Sequence, residues 1–283
     1  MSDGIARGEA EGGEADDDRA LEQLLDTVFR RYHYDFRRYA SASLKRRVRS
    51  ALVHFRCESV AVLEAKMLGD ARIFGGLLQY LTVQVSDLFR DPQYFRAIRE
   101  RIVPYLETYP SLKVWVAGCA TGEEAYSLAI LLAEAGLLER TLIYATDINP
   151  ESLRTAEAGI FDVDRFSRFS ENYLASGGKG SLSDYYTARY SSAVLDRHLK
   201  KSILFSDHSL ATDSAFAEVQ LVSCRNVLIY FDRELQERAL GVLRESLCRR
   251  GFLGLGSRES LRFSLQGPAF RELVAEERLY QLL

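Results

Sequence analysis

The fold is decided by one stretch of the chain, Val114-Trp-Val-Ala-Gly-Cys-Ala-Thr-Gly-Glu-Glu-Ala-Tyr-Ser127. A short apolar run bounded by turn residues is typical of a buried parallel strand, and a helical pattern begins directly after it. Gly118 and Gly122 allow the backbone to turn and to approach a ligand closely. The stretch therefore predicts a strand, a ligand-binding loop and a helix, the arrangement of nucleotide-type cofactor sites.

Two acidic residues at the predicted start of this helix restrict what the loop can bind. Glu123 and Glu124 are favourable near a helix N-terminus, but they would repel a phosphate. The loop also lacks the Gly-Lys-Ser/Thr ending of a phosphate loop and the Gly-x-Gly-x-x-Gly spacing that seats a pyrophosphate. A cationic or hydroxyl-rich ligand suits the loop better. S-adenosylmethionine, with its ammonium, sulfonium and ribose diol, has these properties.

A further acidic residue ends the next predicted strand, Thr141-Leu-Ile-Tyr-Ala-Thr-Asp147. The segment from Asn149 then predicts another helix, because Pro150 is favourable in a first helical turn. The carboxyl ends of parallel strands form the usual ligand crevice of an open α/β sheet, so Asp147 lies where it can accept both ribose hydroxyls. The alternative is that Asp147 serves only as a turn or capping residue.

Four segments carry a wider pattern that spans most of the chain from about Tyr34 onward. They are Leu81-Thr-Val-Gln-Val-Ser-Asp-Leu-Phe-Arg-Asp-Pro92, Ala117-Gly-Cys-Ala-Thr-Gly-Glu-Glu124, Ala145-Thr-Asp-Ile-Asn149 and Ser223-Cys-Arg-Asn-Val-Leu-Ile-Tyr-Phe-Asp232. In these segments the chain resembles the CheR-type chemotaxis receptor methyltransferases, which are S-adenosylmethionine-dependent protein-glutamate O-methyltransferases. The resemblance implies a Rossmann-like α/β methyltransferase domain with a small inserted antiparallel β-subdomain, preceded by an all-α N-terminal domain.

The resemblance also implies roles for individual residues. Arg90 and Tyr230 match the arginine and tyrosine near the transferred methyl group, so they are predicted to be catalytic and to orient the acceptor. Glu123 matches the acid that holds the methionine amino group, and Asp147 matches the ribose-binding acid. The residues predicted to bind the cofactor, or its product S-adenosylhomocysteine, are Gln84, Ser86, Arg90, Gly118, Glu123, Asp147, Ser209, Leu210, Arg225 and Asn226.

Some positions depart from the family pattern. Gln84, Ser86 and Ser209 stand where the family usually has Asn, Thr and Asn, and the segment Gly256-Ser-Arg-Glu-Ser260 lacks a usual histidine. These departures favour an alternative, a catalytically weak or inactive adaptor that binds signalling proteins. A nucleic-acid methyltransferase is a weaker alternative, because Cys-Arg-Asn-Val stands at the end of the predicted strand 219–224 in place of the Asp/Asn-Pro-Pro-Tyr/Phe signature of amine methylation.

Composition and periodicity predict the domain organisation. Residues 1–18 are acidic and glycine-rich, which is typical of a disordered tail. Helical spacing of apolar residues over 59–80 and 93–107 predicts a helical domain at 19–106. Alternating strands and helices then predict a methyltransferase domain at 107–283, with strands near 112–117, 141–146, 219–224, 251–255 and 278–282. The Ser-, Gly- and Tyr-rich region at about 160–201 is the expected β-subdomain.

The region between Arg30 and Arg56 is strongly basic, although the whole chain has a net charge of −3. Its apolar residues recur at helical spacing, which predicts a helix with arginines on the opposite face. This face is either a solvated surface or a docking surface, and no named motif supports nucleic-acid binding. The resemblance implies that it meets the acidic helices of a chemoreceptor or related signalling protein. The predicted substrate-binding residues are Arg46, Arg47 and Arg49.

The composition of the whole chain is that of an ordinary globular protein, with 47% hydrophobic and 27% charged residues. Four cysteines form no Cys-x-x-Cys pair and no cluster with the histidines, so neither a disulfide framework nor a metal site is predicted. No stretch has the pattern of a signal peptide or a bilayer span. We therefore expect a cytoplasmic monomer without direct membrane insertion, which reaches membrane receptor arrays transiently through its partner.

Overall fold

The computed structural model describes the backbone of residues 3–283 and the side chains from residue 18 onward. By its contacts the chain divides into two compact units. The first comprises Met1–Val83 with Tyr230–Leu235, and the second comprises Gln84–Ile229 with Gln236–Leu283. In the described part of the chain, no helix combines the length and the apolar character needed to cross a bilayer.

The first unit is helical, as predicted. Its helices are α1 (Asp3–Tyr32), α2 (Ser41–His54), α3 (Val60–Gly69) and α4 (Ala71–Leu81). The predicted helix over 59–80 is divided in two because Asp70 adopts an extended conformation and its carboxylate accepts a hydrogen bond from the backbone N–H of Arg72 at 2.9 Å. Helix α2 buries Leu44, Val48 and Ala51, the apolar stripe that the sequence predicts.

The acidic segment 1–18 differs from the expected disordered tail, since α1 begins at Asp3. Residues 1–2 and the side chains up to residue 17 lie outside the described residues. From Leu21 onward α1 contributes to the core of the first unit, where Leu24 and Val28 are fully buried.

The second unit contains the strands of the protein. In chain order they are β1 (Leu112–Ala117), β2 (Thr141–Asp147), β3 (Ile160–Asp162), β4 (Tyr186–Arg189), β5 (Ser192–Leu195), β6 (Ile203–Asp207), β7 (Val219–Cys224), β8 (Leu247–Leu255), β9 (Phe270–Val274) and β10 (Leu279–Leu282). Seven form one sheet in the order β6-β2-β1-β7-β8-β10-β9, and the other three form a separate antiparallel sheet. The five predicted strands are confirmed, and the small sheet confirms the predicted insert.

The helices of the second unit complete the α/β pattern. They are α5 (Pro92–Ala97), α6 (Val103–Leu106), α7 (Glu123–Glu134), α8 (Pro150–Ala158), α9 (Phe166–Ala175), α10 (Arg197–Lys200) and α11 (Arg233–Glu245), with a π-helical turn at Ile98–Ile102. The first three residues of α11 belong to the first unit. Residues 84–106, expected in the helical domain, belong to this unit. Phe89, Phe95 and Ile98 are fully buried in the same hydrophobic cluster as Val114 of β1, which explains the difference.

Strand β1 lies where the order in which strands are added to the sheet reverses. β2 and then β6 lie parallel on one side of β1, whereas β7 and then β8 lie parallel on the other. The loops after β1 and β7 diverge at such a point, and a crevice opens at the carboxyl ends of the strands. Gly118 and Arg225 directly follow these two strands, so the fold places the predicted ligand loop at the crevice.

Candidate functional site

The loop after β1 has a conformation that requires glycine. Gly118 and Gly122 have φ values of 74° and 93°, in the left-handed region. A Cβ atom on Gly118 would lie 2.4 Å from Cγ2 of Val227, and one on Gly122 would lie 2.8 Å from Cβ of Ala156. The backbone N–H of Gly118 donates to the carbonyl of Thr146 at 2.8 Å. The loop is therefore fixed between the ends of β2 and β7.

Asp147 ends β2, as predicted, and both of its carboxylate oxygens face backbone donors. Its Oδ2 accepts from the N–H of Ala120 and its Oδ1 from the N–H of Asn149, each at 2.9 Å. Burial raises the pKa of Asp147, while these backbone hydrogen bonds lower it. Because a carboxylate offers about four acceptor positions, Asp147 can anchor the loop and still accept ribose hydroxyls.

Glu123, the first residue of α7, is fully buried. Its Oε2 accepts a hydrogen bond from the hydroxyl of Thr121 at 2.7 Å. Its Oε1 lies 2.8 Å from Nη2 of Arg165, yet it accepts no well-directed hydrogen bond within the described residues. A buried carboxylate oxygen with spare acceptor capacity suits an ammonium group, so Glu123 fits its predicted partner, the methionine amino group of the cofactor.

Arg90 lies on a strained loop of the second unit. Its neighbours Phe89 and Asp91 have φ values of 53° and 56°, a conformation that costs non-glycine residues about 1–3 kcal/mol each. The N–H of Phe89 donates to the hydroxyl of Ser127 at 2.8 Å, which joins this loop to α7. Such strain persists only where the surroundings fix it, and it is concentrated at functional sites. The strain is consistent with the predicted catalytic role of Arg90.

Arg225, predicted to bind the cofactor, is buried and contacts both α7 and the loop that carries Arg90. Its guanidinium pairs with Glu124 at 3.0 Å and with Asp91 at 2.7 Å, and it donates to the carbonyl of Arg90 at 3.0 Å. It also lies over the ring of Tyr94 at 4.1 Å. These contacts hold the backbone of Arg90 against α7. They give Arg225 a positioning role, and direct contact with the cofactor stays a prediction.

Glu259 is a buried acid to which the sequence analysis assigned no role. Its carboxylate accepts backbone hydrogen bonds from Asn226, Val227, Ile229 and Gly256, at 2.9, 2.9, 3.3 and 2.6 Å. It therefore fixes the loop after β7, in which Asn226 has a left-handed φ of 61°. The only sequence signal for this role is an acid that follows the predicted strand 251–255, in Gly256-Ser-Arg-Glu-Ser260.

We expect the substitution Glu259→Ala to lower the free energy of unfolding by about 3 kcal/mol or more, because several buried N–H groups lose their acceptor. Urea denaturation followed by circular dichroism measures the change. The matched control is Arg258→Ala, since the side chain of Arg258 is exposed next to it. A loss of stability equal to that of the control would show that water satisfies these donors.

The other predicted cofactor-binding residues lie on loops of the second unit. Gln84 and Ser86 are half-buried before the Arg90 loop, and the carbonyl of Ser86 accepts a hydrogen bond from Arg165. Leu210 is buried, and the N–H of Ser209 donates to Asp213 at 2.9 Å. Their contact with the cofactor stays a prediction.

The remaining predicted site residues belong to the first unit. The ring of Tyr230 lies 4.6 Å from the guanidinium of Arg47, whose Nη1 donates to the carbonyl of Leu81 at 2.7 Å. Burial lowers the pKa of Arg47. Arg46 and Arg49 are exposed on α2. The three predicted substrate-binding arginines are therefore of two kinds, because Arg47 packs on Tyr230 whereas the other two face solvent.

No metal site accompanies these residues in the described part of the chain, and the four cysteines are free thiols. Cys119 and Cys224 are buried beside the two loops, and burial raises the pKa of each thiol. Both are small buried residues rather than thiolate nucleophiles. The site is thus built from carboxylates, a fixed arginine and backbone groups.

Comparison with known proteins agrees with this geometry. Residues 84–273 match the family model described as CheR methyltransferase, SAM binding domain. The Cher3 protein of Pseudomonas putida is 53% identical over 268 residues, which are 95% of this chain and 98% of that protein. A chemotaxis protein methyltransferase of Listeria monocytogenes is 31% identical, covering 80% of this chain and 84% of that protein.

A 104.1 kDa protein of Rhodobacter capsulatus is 30% identical over 289 residues, which are 99% of this chain but 29% of that protein. The family match covers both the loop after β1 and the loop after β7. Glu123 and Asp147, at the carboxyl edge of the sheet, fit the ammonium and the ribose of S-adenosylmethionine. The chain therefore belongs to the CheR methyltransferase family and binds S-adenosylmethionine.

Proposed function

We propose that the protein transfers the methyl group of S-adenosylmethionine to glutamate side chains of a chemoreceptor or similar signalling protein, forming glutamyl methyl esters. The observation that carries this proposal is Arg90, a cation on a strained loop joined to the helix that begins at Glu123. A cation carried on a loop whose backbone is fixed beside α7 suits an anionic acceptor. The relative from Listeria monocytogenes is named a chemotaxis protein methyltransferase, which supports a protein of chemotaxis signalling as the acceptor.

A carboxylate acceptor explains why the site needs no proton relay. The side chain of glutamate has an ordinary pKa of about 4.3, so it is already ionised at neutral pH and needs no general base. The cofactor supplies an electrophilic sulfonium methyl group. The residues of the protein then act by positioning, which alone can lower a barrier by about 7–11 kcal/mol. Arg90 and Tyr230 orient the acceptor in this proposal, and Arg225 holds the backbone of Arg90.

The proposed acceptor presents acidic helices to the exposed face of α2. Arg46 and Arg49 are exposed on this face, on the side opposite the buried residues Leu44 and Val48. Charge complementarity of this kind accelerates encounter and fixes register more than it adds affinity. The protein would act where such helices occur, at membrane receptor arrays, and it would act as a monomer.

The direct test is methyl transfer from S-adenosylmethionine labelled in its methyl group to purified cytoplasmic fragments of chemoreceptors. We expect label that is released as methanol by alkali, since methyl esters are alkali-labile. Fragments with glutamine in place of the glutamates are the matched control and should take up no label. Cofactor binding without any transfer would favour the adaptor, and an alkali-stable product would favour methylation of an amine.

Charge reversal on α2 should weaken the encounter with the receptor. We expect Arg46→Glu to raise KM for the receptor fragment about tenfold at low salt. The value of kcat should change little, because the exposed charge on α2 affects the encounter with the receptor and not the chemical step. The effect should shrink as the ionic strength rises, since exposed charges are screened. Steady-state kinetics at low and high salt measure this. The control is Arg72→Glu, an exposed arginine on α4, and an equal effect there would indicate non-specific electrostatics.

A further inference from the structure

The guanidinium of Arg165 lies in the cofactor site without an assigned role. Arg165 ends the 3₁₀ turn Val163–Arg165 that leads into α9. Its Nη2 lies 2.8 Å from Oε1 of Glu123 and 3.4 Å from Oδ1 of Asp87, and it donates to the carbonyl of Ser86. It is therefore in contact with two of the residues predicted to bind the cofactor.

Packing fixes the position of this guanidinium. It lies 4.7 Å from the ring centroid of Phe169 and 5.8 Å from that of Phe161. The side chain of Arg165 is 35% exposed, whereas the side chain of Glu123 is fully buried. Within the described residues, all of its polar contacts are made by Nη2. The N–H groups of Nε and Nη1 can therefore donate hydrogen bonds to a ligand. The group is held in place and can still bind an anion.

The charges on the cofactor supply that anion. Its methionine moiety carries an α-ammonium and an α-carboxylate on one carbon, and a pocket with Glu123 alone would attract the first and repel the second. A carboxylate and a guanidinium in contact match both charges. We propose that Arg165 binds the α-carboxylate of the methionine moiety while Glu123 binds its α-ammonium, so that the pair recognises the amino-acid zwitterion.

The opposite role is also testable. Arg165 could occupy the place of the ammonium on Glu123 and compete with the cofactor. The Arg165→Ala substitution distinguishes the two roles by sign, because loss of a ligand lowers affinity for S-adenosylmethionine and loss of a competitor raises it. A merely structural role would lower affinity for every adenosyl ligand alike.

The experiment is calorimetric titration of the full chain with S-adenosylmethionine and with decarboxylated S-adenosylmethionine, which keeps the ammonium and lacks the carboxylate. We expect the wild-type protein to prefer S-adenosylmethionine, and Arg165→Ala to weaken its binding by about 10- to 100-fold, the range of a charge-assisted hydrogen bond. Binding of the decarboxylated ligand should change less than about threefold, so the preference disappears. Arg165→Lys should restore part of it.

The matched control is Arg168→Ala. Arg168 lies in the first turn of α9, is 71% exposed and pairs with Asp87 at 3.1 Å, but within the described residues it makes no ion pair with Glu123. Its substitution should change neither affinity. Equal losses for both ligands in Arg165→Ala, or an unchanged or higher affinity for S-adenosylmethionine, would overturn the proposal. Because binding alone is measured, the outcome is independent of the identity of the methyl acceptor.

Discussion

Replacement of Asp147 by alanine is expected to lower the affinity for S-adenosylhomocysteine by at least about 100-fold. A hydrogen bond to a charged group contributes about 1.5–3 kcal/mol, and the proposed role of Asp147 includes two such bonds to the ribose. The substitution also removes the acceptor of the N–H groups of Ala120 and Asn149, which loosens the loop itself. Calorimetric titration of the purified protein measures the loss.

Two variants separate these causes. Asp147→Asn keeps one acceptor oxygen and loses the charge, so it should retain part of the affinity. The matched control is Asp207→Ala, because Asp207 ends the neighbouring strand β6 in register with Asp147 and is exposed. Asp147→Ala with normal affinity and lowered thermal stability would mean that Asp147 only anchors the loop, which is the turn interpretation left open by the sequence.

The strand, loop and helix of Val114–Ser127 could be predicted because the signals are local. A buried strand appears as an apolar run, and positive φ values restrict Gly118 and Gly122 to glycine. Asp147 was predictable for a related reason, since parallel strands end at one edge of the sheet. The five strands of the confirmed prediction all begin or end within a few residues of their expected positions.

The contacts that fix the site were not predictable, because they join residues distant in the chain. The sequence places Glu259 after a strand but does not indicate the four backbone N–H groups that it accepts from. The sequence likewise does not indicate that Arg165 contacts Glu123, because the two residues are far apart in the chain. The predicted domain boundary after residue 106 differs from the observed one before Gln84 for an equivalent reason. Helical spacing predicts that residues 93–107 are helical, but it does not indicate which core buries Phe95.

Arg90 shows how these long-range contacts create the proposed chemistry. Two left-handed residues flank it, Arg225 binds its carbonyl, and Ser127 binds the preceding N–H. An arginine on a mobile surface loop would lose conformational entropy each time it oriented an acceptor. Here the ordering of the backbone around Arg90 is completed during folding. The hydrogen bond from the buried Arg225 to the carbonyl of Arg90 therefore supports the interpretation that the precise placement of Arg90 matters to function.

We expect Arg90→Ala to lower kcat for receptor methylation by about 100- to 1,000-fold, the usual loss when a fixed electrostatic group is removed from a transition state. Affinity for S-adenosylhomocysteine should fall far less than in Asp147→Ala, because the ribose and ammonium contacts remain. Single-turnover methylation and calorimetry measure the two effects.

The matched control for this prediction is Arg96→Ala, because Arg96 is exposed on the adjacent helix α5 and donates to the carbonyl of Ala175 instead. Its activity should remain normal. Arg90→Lys keeps the charge but loses the planar guanidinium, so an intermediate rate would indicate that geometry as well as charge orients the acceptor. If Arg90→Ala instead lost cofactor affinity and rate in equal proportion, Arg90 would act through cofactor binding alone, and another group would have to orient the glutamate.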